Sequence, residues 1–379
     1  MIKFIKQPFL RLSVILIGLG LSSVPLMAGS YEQNLQEGAK TTTHNFMNDP
    51  FIDPVIANIS LPETWPVYYN RGAIDRSPKN KSSKLLTMGT GTPIPNTYRY
   101  GPAMAVIVNG YPYFVDCGEG WFRALNRSAI SQKGVDLTKV FKFNNLKYMF
   151  LTHLHEDHTV GLPSFILGPY KFGSKTNKVI FGPKGTEHLV NHIIEGWHID
   201  RQEMVQGSTH QSPEGGGAVV GDIDPKVEFP GAIYEDKNVI VEAFRTKHGA
   251  LRYTVAYRFT TKPDNRVIVF GGDGHYSKGL VAAAKDADIL VIEGITFKNL
   301  NYSPWGGKTL AEKQKVIGAY HMFPKDLKKV QDESGVKSIV MVHEQNFNSA
   351  KDFSRLGLLH EMQKAGVKNI YSAMDGDLY

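Results

Sequence analysis

The run Thr152-His153-Leu154-His155-Glu156-Asp157-His158 places three imidazoles and two carboxylates within six residues. Crowded histidines repel one another when protonated and bury badly when unpartnered. A divalent ion removes both penalties, because neutral imidazole and carboxylate are good Zn²⁺ ligands. The spacing turns His153 and His155 to one side and leaves Asp157 and His158 for a second position. One loop cannot complete two metal sites, so further ligands must come from elsewhere. Three isolated polar residues stand at the ends of β-rich runs: His248 after 243–247, Asp273 after 267–272 and His343 after 338–342. Two divalent ions ~3.5–4 Å apart can share a water, lower its pKa and clamp an anionic ester oxygen. That is chemistry for attack on phosphorus, sulfur or an acyl carbon.

Such ligands need rigid elements that end together. Short β-rich runs occur at 85–87, 105–108, 113–115, 148–152 and 179–181, then at 239–244, 253–259, 266–270, 289–292 and 338–342. Helical patterns lie near 120–128, 160–167, 185–196, 279–284, 324–333 and 353–365. Tight turns such as Asn109-Gly110 favour antiparallel pairing in the first half. The second half alternates strand and helix, so mixed sheets covered by helices are expected. No internal repeat is evident. Residues 206–221, rich in Gly and Ser with Pro213, read as a surface loop.

Composition sets the frame. Of 379 residues, 42% are hydrophobic and 21% charged, which excludes a disordered chain and allows a sizeable core. Lys3, Lys6 and Arg11 precede or open an apolar run that reaches about Met27, and Ala28, Gly29 and Ser30 follow. This pattern predicts a signal peptide over 1–28, with the remainder exported to the periplasm or secreted and left without a stable membrane anchor. The formal net charge is +7. Residues 1–28 hold three of the basic residues and no acid, which leaves +4 for the rest. From so mild an excess, no nucleic-acid partner is expected. Residues 29–83 are polar and irregular, an N-terminal extension or arm, and 84–379 form the catalytic domain. Cys117 is the single cysteine, so it forms no intramolecular disulfide; a small buried filler is the expected role.

The ligand pattern, followed by strand-end His, Asp and His, resembles the metallo-β-lactamase superfamily, most closely its ribonuclease Z and arylsulfatase-like branch. Further matches are Gly89-Thr90-Gly91-Thr92-Pro93, Gly101-Pro102, Asp116-Cys117-Gly118-Glu119-Gly120, Thr159-Val160-Gly161-Leu162-Pro163, Gly182-Pro183-Lys184-Gly185 and Ala287-Asp288-Ile289-Leu290-Val291. The likeness covers about residues 84–379. It implies an α/β fold: an αββα sandwich of two mixed β-sheets flanked by helices, with the metals at one edge. It also implies two zinc ions per chain, with manganese or iron as substitutes. His153, His155 and His248 would hold one, Asp157, His158 and His343 the other, and Asp273 would bridge. Asp157 and His321 are the implied catalytic residues, His321 falling where the branch places a proton donor. Asp116 is a candidate to hydrogen-bond a ligand imidazole, or else a turn residue at a strand end. Three departures stand out: Gly274 where Thr usually follows the bridging Asp, Ile292-Glu293 in place of a His-Glu pair, and Met322-Phe323 after His321. His44, His188, His192, His198, His210, His275 and His360 have no assigned role.

The leading expectation is an exported dinuclear zinc hydrolase of a small-molecule sulfate or phosphate ester, with oligomerisation open. A ribonuclease Z-like endonuclease is the closest alternative. A lactonase and a metal-binding protein without catalysis are the others. Asp273 in the bridging position argues against the commonest β-lactamase pattern. His155 argues against the flavin-linked di-iron oxidoreductases of this fold, which carry Glu there.

Overall fold

The structure is a computed structural model that describes residues 82–379 apart from 95–98, 132–136, 208, 225–230, 297–299, 301–306, 308 and 346–353. The expectations for residues 1–28 and 29–83 therefore lie outside the described residues, except at Ser82 and Ser83. Among the described residues no helix is long and apolar enough to cross a membrane.

Strands β1 (Ser83–Gly89), β2 (Ala103–Val108) and β3 (Tyr111–Val115) form an antiparallel meander. Asn109 and Gly110 turn β2 into β3 with φ of 51° and 75°, the paired positive values a two-residue hairpin needs. β4 (Tyr148–Phe150), β5 (Lys178–Pro183) and β6 (Ala218–Ile223) continue the sheet in parallel. The short β14 (Asp377–Leu378) closes its other side against β1. The second sheet runs β13 (Ile370–Ser372), β12 (Ser338–Gln345), β11 (Ile289–Ile295), β10 (Val267–Phe270), β9 (Val255–Thr261), β8 (Val239–Arg245), β7 (Ala232–Glu235). It is parallel from β10 to β13 and antiparallel from β7 to β10.

Strand periodicity decides the layers. In β2, Met104, Val106 and Val108 pack between the sheets with Phe150, Tyr257, Phe259 and Val291. Ala103, Ala105 and Ile107 face the opposite way, onto helices α1 (Trp121–Ser131), α3 (Leu162–Lys171) and α4 (Thr186–Gly196). Both faces of the strand are buried, which is why it reads as an unbroken apolar run. On the far side, α6 (Lys278–Ala283), α8 (Pro324–Ser334) and α9 (Ser354–Lys364) cover the second sheet through Leu280, Leu327 and Met362. The layers are helix, sheet, sheet, helix, as expected. The remaining helices are the short α2 (Glu156–Thr159), α5 (His198–Gln206) and α7 (Leu310–Ile317).

Every expected strand overlaps an observed one. The surface loop expected over 206–221 needs correction: Pro213–Gly216 form a 3₁₀ turn, and β6 starts at Ala218. β6 is an edge strand, half exposed, preceded by Gly217 and interrupted by Gly221, so its apolar signal is weak.

The loop between β1 and β2 is tied down from the far end of the chain. Asp375 Oδ1 accepts from Thr90 N at 2.9 Å and Thr90 Oγ1 at 2.8 Å, and its Oδ2 accepts from Tyr100 N at 2.7 Å. Asp375→Ala strands three donors, so the fold should lose roughly 2–4 kcal/mol. Urea unfolding measures this, and a loss under about 0.5 kcal/mol would show that water replaces the carboxylate.

Candidate metal centre

The candidate residues converge at one end of both sheets. The chain leaves β4 at Phe150 and turns through Thr152 into α2, whose first helical residue follows His155. His153 and His155 thus sit on the turn, and Asp157 and His158 on a single helical turn. Glycine makes this compactness possible: a Cβ on Gly118 would lie 2.5 Å from Gly101 C and 2.6 Å from Asp157 O. Opposite, His248 follows β8, Asp273 follows β10, and His343 lies within β12 at φ 45°.

Three groups result, in each of which one ligating atom per residue lies within 4.8 Å of the others: His153, His155 and His248; Asp157, His158 and His343; and His153, His158 and Asp273. The first two are the sets expected for the two ions. The third joins one residue of each set to Asp273, the arrangement a bridging carboxylate requires. Asp273 Oδ1 is 3.4 Å from both His158 Nε2 and His343 Nδ1.

Surrounding groups fix the rings. Asp116, at the end of β3, accepts from Thr152 N through Oδ1 and lies 2.8 Å from His158 Nδ1 through Oδ2. Thr152 Oγ1 is 3.1 Å from His153 Nδ1. His248 Nδ1 donates to Tyr320 O at 2.6 Å, which turns its Nε2 to within 3.1 Å of His155 Nδ1. His153 Nε2, His158 Nε2, His343 Nδ1 and Asp273 Oδ1 are buried with no hydrogen-bond partner. Four orphaned polar atoms at one point are costly unless an ion satisfies them. The residues present therefore fit divalent metal.

Charge is divided within the cluster. Burial, reinforced by His158, holds His153 well below the ordinary histidine range. Burial likewise lowers His155, and pushes His248 down to about 4. Burial also opposes charge on His158 and His343, yet Asp273, aided by Asp116 and Asp157 respectively, outweighs it and raises both. Asp273 is held well below the carboxylate range, since His343 and His158 overcome its burial.

A cavity of about 370 Å³ opens onto these groups, lined among others by His155, Asp157, His248, Asp273, His321 and His343. His321 Nδ1 lies 2.9 Å from Glu293 Oε1. Burial opposes a charge on His321, but Glu293 outweighs it and raises its pKa. Glu293 is the residue that sequence reasoning passed over. In sequence it stands as half of a missing His-Glu pair, whereas the fold supplies its histidine from 28 positions away. Its signal was an acid inside the apolar run 289–295. Glu293 also accepts from Gly274 N at 3.1 Å. Gly274 itself has φ 154°, and a Cβ there would lie 2.4 Å from Lys247 O, so the usual Thr does not fit this turn. Cys117 is buried and free, and burial pushes its thiol up, as a packing role requires. His188, His192, His198, His210, His275 and His360 are not among the residues lining this cavity, and His44 lies outside the described residues.

The β-lactamase superfamily domain matches residues 113–343. Ribonuclease Z of Methanosarcina mazei is 22% identical over 306 residues, covering 69% of this chain and 87% of that protein. Ribonuclease Z of Methanocaldococcus jannaschii is 26% identical over 181 residues, 48% of this chain and 49% of that protein. The chain thus spans about half the length of that relative. The crystal structure of the short form of human tRNase Z superposes with a TM-score of 0.55 at 21% identity, covering 78% of this chain and 98% of that one, a likeness of fold. The expectation that nucleic acid is not a partner is overturned, because these similar proteins are named for acting on RNA. It rested on net charge, an average that says nothing about where the charge lies.

Asp116 sits at φ 59°, a conformation asparagine also tolerates. Asp116→Asn should therefore keep the turn and weaken divalent-metal affinity about 10–100-fold, as loss of a partner behind a ligand histidine does. Competition with a chelator reads this, and unchanged affinity would leave Asp116 a turn residue only. The domain match from Tyr113 to His343 takes in all seven of the clustered side chains and more than half of the sequence, and the chain belongs to the metallo-β-lactamase superfamily.

Proposed function

We propose that the chain is a phosphodiesterase of the ribonuclease Z kind that cleaves RNA at a dinuclear zinc centre. The observation that carries the reading is that His321, backed by the buried Glu293, lines the same cavity as the ligand cluster. His153, His155 and His248 would hold one ion, Asp157, His158 and His343 the other, and Asp273 both. When bound, the ions supply an activated water and positive charge for the phosphoryl oxygens. The chain's own residues do the rest. Asp116, Thr152 and Tyr320 hold the ligand rings by their Nδ1 atoms. Asp157 Oδ2 accepts from His343 Nε2 at 2.9 Å and keeps that ring in place. Glu293 engages Nδ1 of His321 and leaves its Nε2 to pass a proton to the departing oxygen.

Hydrolysis of a small sulfate or phosphate ester is the second reading, favoured by the modest size of the cavity. The basic and then apolar residues 1–28 support export under either reading.

Elemental analysis of the gently purified protein should find about two zinc ions per chain; a folded protein unable to take up metal would overturn the proposal. A panel of RNA, aryl sulfate, phosphodiester and phosphomonoester substrates separates the readings, with RNA and phosphodiesters expected to turn over. His321→Ala should keep its metal and slow RNA cleavage by ~10²–10⁴ while sparing nitrophenyl esters, whose leaving group departs unprotonated. Equal slowing on both, or loss of metal, would remove the proton-donor role.

A further inference from the structure

On the helix-covered face of the first sheet, Phe143 and Phe172 stack with ring centroids 4.8 Å apart and planes at 16°. Phe122 of α1 extends the stack, its centroid 6.3 Å from that of Phe172. The outer rings are open to solvent, Phe172 at 62% and Phe143 at 36% exposure. A large ring so exposed, in a row of rings, is unusual for a protein surface. The row lines a groove of about 640 Å³ that also carries Arg123 and Arg127, both exposed, and no acidic side chain among the described residues that line it. The Arg127 guanidinium lies 5.9 Å from the Tyr100 ring centroid, at the groove's other side. In sequence, residues 121–147 hold six basic residues and one acid, a density that the mild whole-chain charge conceals.

We infer that this stack is a docking platform for single-stranded RNA, with bases seated on Phe172 and Phe143 and the backbone against Arg123 and Arg127. The inference rests on RNA as the substrate class and adds where the substrate is held away from the cavity. Every base has a π-face, so a stack of rings binds single strands with little regard to sequence. Exposed guanidinium groups complement phosphate and make binding salt-dependent. Aromatic rings and arginine also occur in protein interfaces; the excess of six basic residues over one acid along 121–147 is what favours a polyanion. The groove is tied to the cavity by one loop: Pro93 lines the cavity and Tyr100 the groove. Seven residues of chain can span at most about 25 Å, so one strand can reach both.

The test uses a fluorescein-labelled, unstructured oligoribonucleotide and fluorescence anisotropy on the full chain. Loss of one stacking partner is worth roughly tenfold in affinity. Phe172→Ala and Phe143→Ala should each weaken binding by about that factor, and Phe172→Trp should restore it. Arg123→Gln with Arg127→Gln should weaken binding and flatten its salt dependence. All variants should hydrolyse bis-(p-nitrophenyl) phosphate at the unaltered rate, which also shows that they are folded. Unchanged oligonucleotide affinity in the phenylalanine variants would overturn the platform while leaving the phosphodiesterase reading intact. Stack-dependent binding by a chain that cleaves no phosphodiester would overturn that reading and keep the platform.

Discussion

A histidine has two ring nitrogens, and a buried metal site must commit one of them to the protein so that the other is fixed in direction. The Asp116 carboxylate does this for two rings at once. It holds His158 directly, and it accepts from Thr152 Oγ1, which in turn meets His153 Nδ1. Asp116 can do so because β3 and β4 are parallel neighbours whose ends coincide, with Val115 opposite Phe150. Tyr320 O performs the same service for His248, and Glu293 for His321. Each anchoring group comes from a different element, so the site's direction-setting is spread across both sheets. Rigid packing between the sheets is what keeps these ends in register.

How much of this was legible in the sequence follows from which contacts are local. The His153–His158 cluster announced itself because four candidate ligands lie within six residues, a crowding that packing alone does not explain. His248, Asp273 and His343 were legible as ionisable residues closing β-rich runs. The layers were legible because buried strands such as β2 are apolar on both faces. Glu293 was not, since its partner His321 arrives from the segment after α7, and no spacing rule links the two. β6 was missed because an exposed edge strand bordered by glycine lacks the apolar contrast that marks a strand. The misjudged partner class came from treating the +4 outside residues 1–28 as a uniform property, when basic residues concentrate along 121–147.

Two of the three departures from the branch pattern now have a physical account. The turn after Asp273 brings Gly274 so near to Lys247 O that no side chain fits, and the freed backbone N–H meets Glu293. Glu293 keeps its histidine partner through space although Ile292 stands before it in sequence. Met322 is wholly buried with Leu280 and Leu327, and its N–H donates to Glu293 at 3.2 Å. Nothing in the structure explains why Phe323 stands where hydroxyl residues are common.

The tie between Asp375 and the Thr90–Tyr100 segment has a consequence for the order of biosynthesis. A ribosome releases the chain from its N-terminus, so β1 to β3 and the histidine turn emerge well before residue 375. Until then β1 lacks its β14 neighbour, the loop bearing Pro93 has no carboxylate to fasten it, and an unpaired strand edge stays open to other chains. All seven ligands, His343 included, precede residue 375, so the wall of the cavity is finished only after the last of them has been made. A nascent chain stalled between His343 and Asp375 would hold the metal-binding residues without a completed substrate-facing loop.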